Sequence, residues 1–245
     1  MAAGTHFRTL SVAACLALAG TGQASEVCTE DAVIVFDGSG SMSEMGFNNL
    51  GEPRIFEARR AVRQVVPEIA RMRRLGLVIY GPGAPETDSC DTVDTRFAPR
   101  WEADGLIISE IEALRPSGET PIADAVAQAA ELLRYRERPG AIVLVTDGKE
   151  TCGGAPCQLA AELAATGADL TVHVIGYKVR GDFFAWEGQP GDYADTESTA
   201  RCLADATGGE YVGAESVDDL IAALRVTLGC NVYGVLEPLP GARAE

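Results

Sequence analysis

Three short segments carry hydroxyl and carboxylate side chains in patterns that could do chemistry. They are Asp37-Gly38-Ser39-Gly40-Ser41-Met42, Gly118-Glu119-Thr120-Pro121 and Thr146-Asp147-Gly148. Two carboxylates brought close together repel unless something neutralises them. The groups accompanying Asp37 and Asp147 are the neutral oxygens of Ser39, Ser41 and Thr120. An all-oxygen set of this kind suits a hard cation. Mg2+ or Mn2+, each taking about six oxygens, fits better than Ca2+, which usually recruits more carboxylates. The glycines let the backbone turn tightly around an ion. Taken singly, each segment has a plainer reading. Asp37 to Ser41 could be a turn, Thr120-Pro121 a helix cap, and Asp147-Gly148 another turn. Their joint occurrence, in order and at strand ends, is what marks a site.

Some scaffold must then bring the segments together. The apolar run Ala32 to Phe36 leads into Asp37, and Ala141 to Val145 leads into Thr146 and Asp147. Such short buried strands alternate with helical patterns, which predicts an α/β fold: a doubly wound, mostly parallel sheet with helices on both faces. In that architecture the carboxyl ends of the strands share one edge, and a crevice opens where strand order reverses. Asp37 and Asp147 meet there if their strands are neighbours. Further strands are expected at Leu77–Tyr80, Leu170–Tyr177 and Glu210–Val212, with a polar edge strand at Thr92–Ala98. Helical faces are read at Ala58, Val62, Val65, Ile69 and Met72, at Ile107, Ile111 and Leu114, and at Ile122, Val126, Ala129 and Leu133. Pro67 should kink the first of these helices. A last helix opens with a Ser216/Asp219 capping box and ends at Gly229.

The order Asp-x-Ser-x-Ser after a buried strand, then Thr-Pro opening a helix, then Thr-Asp-Gly after a strand resembles the metal-ion-dependent adhesion site of von Willebrand factor type A (vWA) domains. All five positions of that pattern are filled, by Asp37, Ser39, Ser41, Thr120 and Asp147, and the resemblance covers roughly Cys28 to Gly229. Ser39 to Met42 followed by Pro53-Arg54-Ile55 and Ala58-Arg59 is similar to the bacterial exported branch. The resemblance implies that the serines bind the ion directly, the threonine directly or through water, and the aspartates often through water. An ion so held stays electrophilic and can accept a Glu or Asp carboxylate from a protein or peptide partner. The expected function is divalent-cation-dependent binding. The rival is a structural or assembly module of an envelope complex in which the metal serves mainly the fold.

Other classes find little support. The formal net charge of -16 is the wrong sign for nucleic acid or an anionic membrane. His173 alternates with apolar neighbours on a strand and reads as structural, and no Gly-x-Ser-x-Gly elbow surrounds Ser39 or Ser41, so a Ser-His-Asp triad is not expected. A zinc hydrolase lacks ligands. An aspartyl-phosphate mechanism based on Asp37 wants a carboxylate where Ser39 stands, and no Gly-rich loop followed by Lys-Ser/Thr cradles a phosphate. No enzymatic activity is expected. The acidic, aromatic-bearing stretch 178–198 reads as a local lid or a partly disordered loop rather than a partner surface.

The N-terminus reads as a targeting segment: His6 and Arg8, an apolar run from Leu10 to Ala19, then Gly22-Gln23-Ala24. Residues 1–24 are expected to be a cleaved signal peptide, with a lipid anchor at Cys15 as the weaker alternative. Residues 25–230 then form the vWA domain and 231–245 a tail. The mature chain would be periplasmic or secreted, with no membrane span. It would keep Cys28, Cys90, Cys152, Cys157, Cys202 and Cys230, an even set that implies three disulfides. Proximity favours Cys152–Cys157, placement at the two chain ends of the domain favours Cys28–Cys230, and elimination leaves Cys90–Cys202.

Overall fold

A computed structural model describes residue 1 and residues 28–45, 51–82, 90–177 and 200–230. The expected signal peptide beyond Met1, the whole 178–198 stretch and the 231–245 tail lie outside the described residues. Six strands form one sheet: β1 (Asp31–Asp37), β2 (Leu75–Tyr80), β3 (Val93–Arg100), β4 (Gly140–Thr146), β5 (Leu170–Tyr177) and β6 (Tyr211–Ala214). Their spatial order is β3-β2-β1-β4-β5-β6. Every pairing is parallel except β2–β3. The helices are α1 (Arg54–Ile69), α2 (Asp104–Ala113), α3 (Ile122–Leu133), α4 (Pro156–Thr166), α5 (200–207) and α6 (Val217–Leu228).

Strand periodicity sorts the apolar side chains into two cores. From β1, Ala32, Ile34 and Phe36 enter one core together with Val143 and Val145 of β4, under α1, α2 and α6. Val33 and Val35 enter the other with Ile142 and Leu144, under α3, α4 and α5. Central strands buried on both faces are therefore apolar throughout, whereas β3, which pairs on one side only, keeps exposed polar residues. The break expected at Pro67 is not seen: α1 runs on to Ile69, and the one hydrogen bond that the missing N–H removes falls in the last turn, with little helix beyond it to disturb. The Ser216/Asp219 capping box is formed at the start of α6.

The amino edge of the sheet is tied down covalently and electrostatically. Cys28 is bonded to Cys230. Arg73, only 1% exposed, donates to the Leu228 and Gly229 carbonyls at 3.0 Å each, and to the Glu30 carbonyl and carboxylate at 3.1 and 3.0 Å. One guanidinium thus joins the end of α6 to the entry of β1.

The other two disulfides correct the sequence expectation. Cys90 bonds Cys152, and Cys157 bonds Cys202, so neither Cys152–Cys157 nor Cys90–Cys202 exists. Cys152 lies in the loop after β4, whereas Cys157 is already inside the first turn of α4, which opens at Pro156. Each faces a different neighbour, the chain before β3 and helix α5. Closing a longer loop costs only ~0.6 kcal/mol per doubling of length, so nearness in sequence was a weak guide. Among the described residues, no helix is long and apolar enough to cross a membrane.

Candidate metal centre

Strand order reverses between β1 and β4: the connection from β1 leads outward through α1 to β2, and that from β4 leads the other way through α4 to β5. Asp37 ends β1 and Asp147 follows β4 directly, so both stand at the crevice. Asp37 is fully buried. Its Oδ1 accepts the Ser39 N–H at 2.8 Å, and its Oδ2 accepts the Thr146 hydroxyl at 2.8 Å and the Asp147 N–H at 3.3 Å. Tyr80 in turn donates to the Thr146 hydroxyl at 2.9 Å. These bonds fix the Asp37 carboxylate on the floor of the site.

The remaining groups lie above it. Ser39 Oγ and Ser41 Oγ are 3.0 Å apart, and Ser41 Oγ donates to Asp147 Oδ1 at 2.6 Å. A Cβ placed on Gly148 would sit 3.9 Å from both Ser41 Oγ and Thr120 Oγ1, so these two hydroxyls flank one point of the crevice. All five expected residues are therefore brought together. Thr120 does not cap α3: the helix has no side-chain cap, and Glu150 Oε2 accepts the Ala123 N–H at 2.9 Å instead. Thr120 as a residue is 5% exposed, and its hydroxyl makes no hydrogen bond to the described residues.

Main-chain bonds lock the three segments to one another. Gly40 N–H donates to the Gly118 carbonyl at 3.0 Å, and Ser117 N–H to the Gly38 carbonyl at 2.9 Å. Thr151 accepts the Thr120 N–H on its hydroxyl at 2.8 Å and returns its own N–H to the Thr120 carbonyl at 3.2 Å. Gly81 lets the β2 end pass beneath: at φ +101°, a Cβ there would lie 2.3 Å from Ser39 N. The rim is stapled by the Cys90–Cys152 bridge.

Electrostatics mark the site as short of positive charge. Burial, and then the neighbouring Asp37 carboxylate, raise the Asp147 carboxyl well above the usual carboxylate range. The Ser41 hydroxyl and Arg54 act in the opposite sense. Burial, and then Asp37, likewise push the Tyr80 phenol up. Among the described residues no group of three or more His, Cys, Asp or Glu side chains could hold a metal ion. The donor set here is two carboxylates with three hydroxyls, and it fits a hard divalent cation, whose charge would relieve the buried repulsion.

Sequence reasoning missed Arg54, Glu150, Thr151 and the Tyr80–Thr146 relay. Arg54 NH1 donates to Asp147 Oδ2 and to the Ser41 carbonyl at 3.1 Å each. It carried a signal: a cation in the first turn of α1 sits against the positive end of the helix dipole, so something else must hold it there.

Residues 32–150 match the family model described as the von Willebrand factor type A domain. The chain is similar to the uncharacterized protein YwmD of Bacillus subtilis (strain 168), 29% identical over 193 residues, spanning 76% of this chain and 79% of that protein. Two solved structures share its fold. The pilus adhesin SpaC from Lactobacillus rhamnosus GG superposes with a TM-score of 0.59 at 16% identity, over 82% of this chain and 30% of the adhesin. Proximal thread matrix protein 1 from the mussel byssus, solved with a zinc-occupied MIDAS motif, superposes with a TM-score of 0.54 at 18% identity, over 83% of this chain and 46% of that one.

Proposed function

We propose that the chain is a vWA domain that holds one divalent cation at Asp37, Ser39, Ser41, Thr120 and Asp147 and uses it to bind a partner carboxylate. The observation that carries this reading is the convergence of those five oxygen-bearing side chains at the strand-order switch, with more buried negative charge than one arginine offsets. Support also comes from the relatives: one fold neighbour is a pilus adhesin and another has a zinc-occupied MIDAS motif. Mg2+ or Mn2+ suits the donor set best.

The residues divide the work. Asp37 and Asp147 supply the charge, Asp37 from the floor through bonds that hold its orientation. Ser39, Ser41 and Thr120 supply neutral oxygens, which leaves a bound ion incompletely neutralised and able to accept a carboxylate from an Asp- or Glu-bearing protein or peptide. The reading is binding rather than catalysis: the carboxylates beside the hydroxyls, Asp37 and Asp147, are assigned to the cation. Three disulfides fit an oxidising compartment, and a periplasmic or secreted location behind a cleaved signal peptide is part of the proposal.

Calorimetric titration tests the site. The protein should take up about one Mg2+ or Mn2+ per chain, and Asp37→Ala should abolish uptake. A surface coated with poly-glutamate tests the binding role. Capture should require the cation, vanish with EDTA, and hold or rise with moderate salt, because salt screens the long-range repulsion between two acidic bodies more than coordination at short range. No uptake by the parent chain would overturn the metal reading. Uptake with cation-dependent melting but no capture would replace it with the assembly-module reading.

A further inference from the structure

Arg54 stands where an added cation would do most to the site. Its NH1 bonds Asp147 Oδ2 and the Ser41 carbonyl at 3.1 Å each, and the exposed Glu44 carboxylate at 3.4 Å. The Arg54 side chain is 12% exposed and that of Asp147 is fully buried. Its Nε is buried and has no hydrogen-bond partner among the described residues. An orphaned buried donor costs free energy, and the residue also opposes the α1 dipole, so the fold holds Arg54 here at a local disadvantage. The compensation visible in the structure is charge: one guanidinium against two carboxylates.

We infer that Arg54 is a tethered positive charge that weakens the site's grip on the divalent cation while keeping the loaded site net positive, and so selective for a carboxylate ligand. This rests on the metal reading above. Two buried carboxylates and a divalent ion alone would cancel; with Arg54 the buried centre retains one positive charge, and the Glu44 carboxylate that also meets Arg54 is exposed and screened by solvent. Like charges a few ångströms apart in a partly buried site interact strongly, so the same arginine opposes the metal and favours an anion. Asp147 is its contact, which makes Arg54 a positioning residue for that carboxylate as well.

The test uses the whole protein with Mn2+ alone as the first probe and acetate as the second. Mn2+ affinity is read from loss of the free-ion spin-resonance signal. Acetate coordination is read from the fall in water-proton relaxation as bound water is displaced. Arg54→Met should bind Mn2+ about tenfold more tightly and need about tenfold more acetate for the same fall. Arg54→Lys, which keeps the charge, should stay close to the parent in both. Arg54→Gln serves as a second neutral variant if Arg54→Met folds poorly, as judged by melting. Tighter metal with weaker acetate in a neutral variant supports the inference, a pair of opposite shifts that a purely structural role would not give. Unchanged or weaker Mn2+ binding in a folded neutral variant overturns it, as does a Lys variant that behaves like Met. Absence of Mn2+ binding in both parent and neutral variants overturns the metal reading instead.

Discussion

At the amino end of the sheet one buried cation meets a full set of acceptors: Arg73 is shared among three carbonyls and the Glu30 carboxylate, beside the Cys28–Cys230 bridge. At the carboxyl end two buried carboxylates lie at one crevice with one cation, Arg54, which bonds only Asp147 of the two and whose Nε has no partner among the described residues. Both ends are buried and charged, yet one is saturated and the other is not. A saturated buried network anchors a fold, whereas an unsaturated one is a place where something further can bind. The two ends belong to the same strands, so rigidity at one supplies a fixed platform for the other.

This contrast can be broken first at the covalent clamp. Replacing Cys28 and Cys230 together by alanine should lower stability by about 4–5 kcal/mol in the chain-entropy account of a loop this long, measured by urea unfolding, while Mn2+ uptake by the folded protein stays unchanged. Loss of uptake at unchanged stability would mean that the ends are not separable. Arg73→Met comes next, at about 3 kcal/mol, because it strands the Glu30 carboxylate and the α6 terminal carbonyls. Its metal affinity should equal the parent's.

A smaller effect comes from His173, buried in β5, whose Nδ1 accepts the Glu210 N–H at 3.1 Å. Burial lowers its pKa, with Glu210 acting in the opposite sense and Arg73 in the same sense. The folded state therefore prefers the neutral ring. The stability it supports is fully present above about pH 6.5 and declines below it as the unfolded chain takes the proton, no more steeply than about 1.4 kcal/mol per pH unit. Melting curves from pH 7.5 to 5 should show this slope, and His173→Gln should flatten it. The smallest effect on stability belongs to Thr120→Val. Its hydroxyl bonds no described residue, so the melting temperature should correspond to a change within about 0.5 kcal/mol. Capture on poly-glutamate should nevertheless fall. A large drop in melting temperature would show that the hydroxyl serves the fold.

Much of the fold was legible because burial writes itself into residue type. Val33 to Phe36 and Ile142 to Val145 are buried on both faces, and their continuous apolar runs say so. The five oxygen-bearing residues were legible because each sits where a strand ends or a helix begins. Arg54, Glu150 and Thr151 were not, since their roles depend on which loops come side by side, and a lone charge in a sequence does not name its partner. Cysteine pairing failed for a related reason: Cys157 is held by α4 toward α5, and only the packed helices show that Cys202 waits there.

The long clamp also sets a schedule for making the protein. Of the six bridged cysteines, Cys28 is synthesised first and its partner Cys230 last, 202 residues later. The other two bridges join cysteines that follow one another, so each can close as its second member appears. A process that oxidised these six thiols strictly in order of appearance would couple Cys28 to Cys90 and leave Cys152 without its proper partner. Correct maturation therefore needs either a Cys28 thiol kept reduced until the end or a later exchange that undoes the early error. Pulse-labelled chains trapped with a thiol-blocking reagent would then show a Cys28 thiol, or a Cys28–Cys90 bridge, after the Cys157–Cys202 bridge has formed.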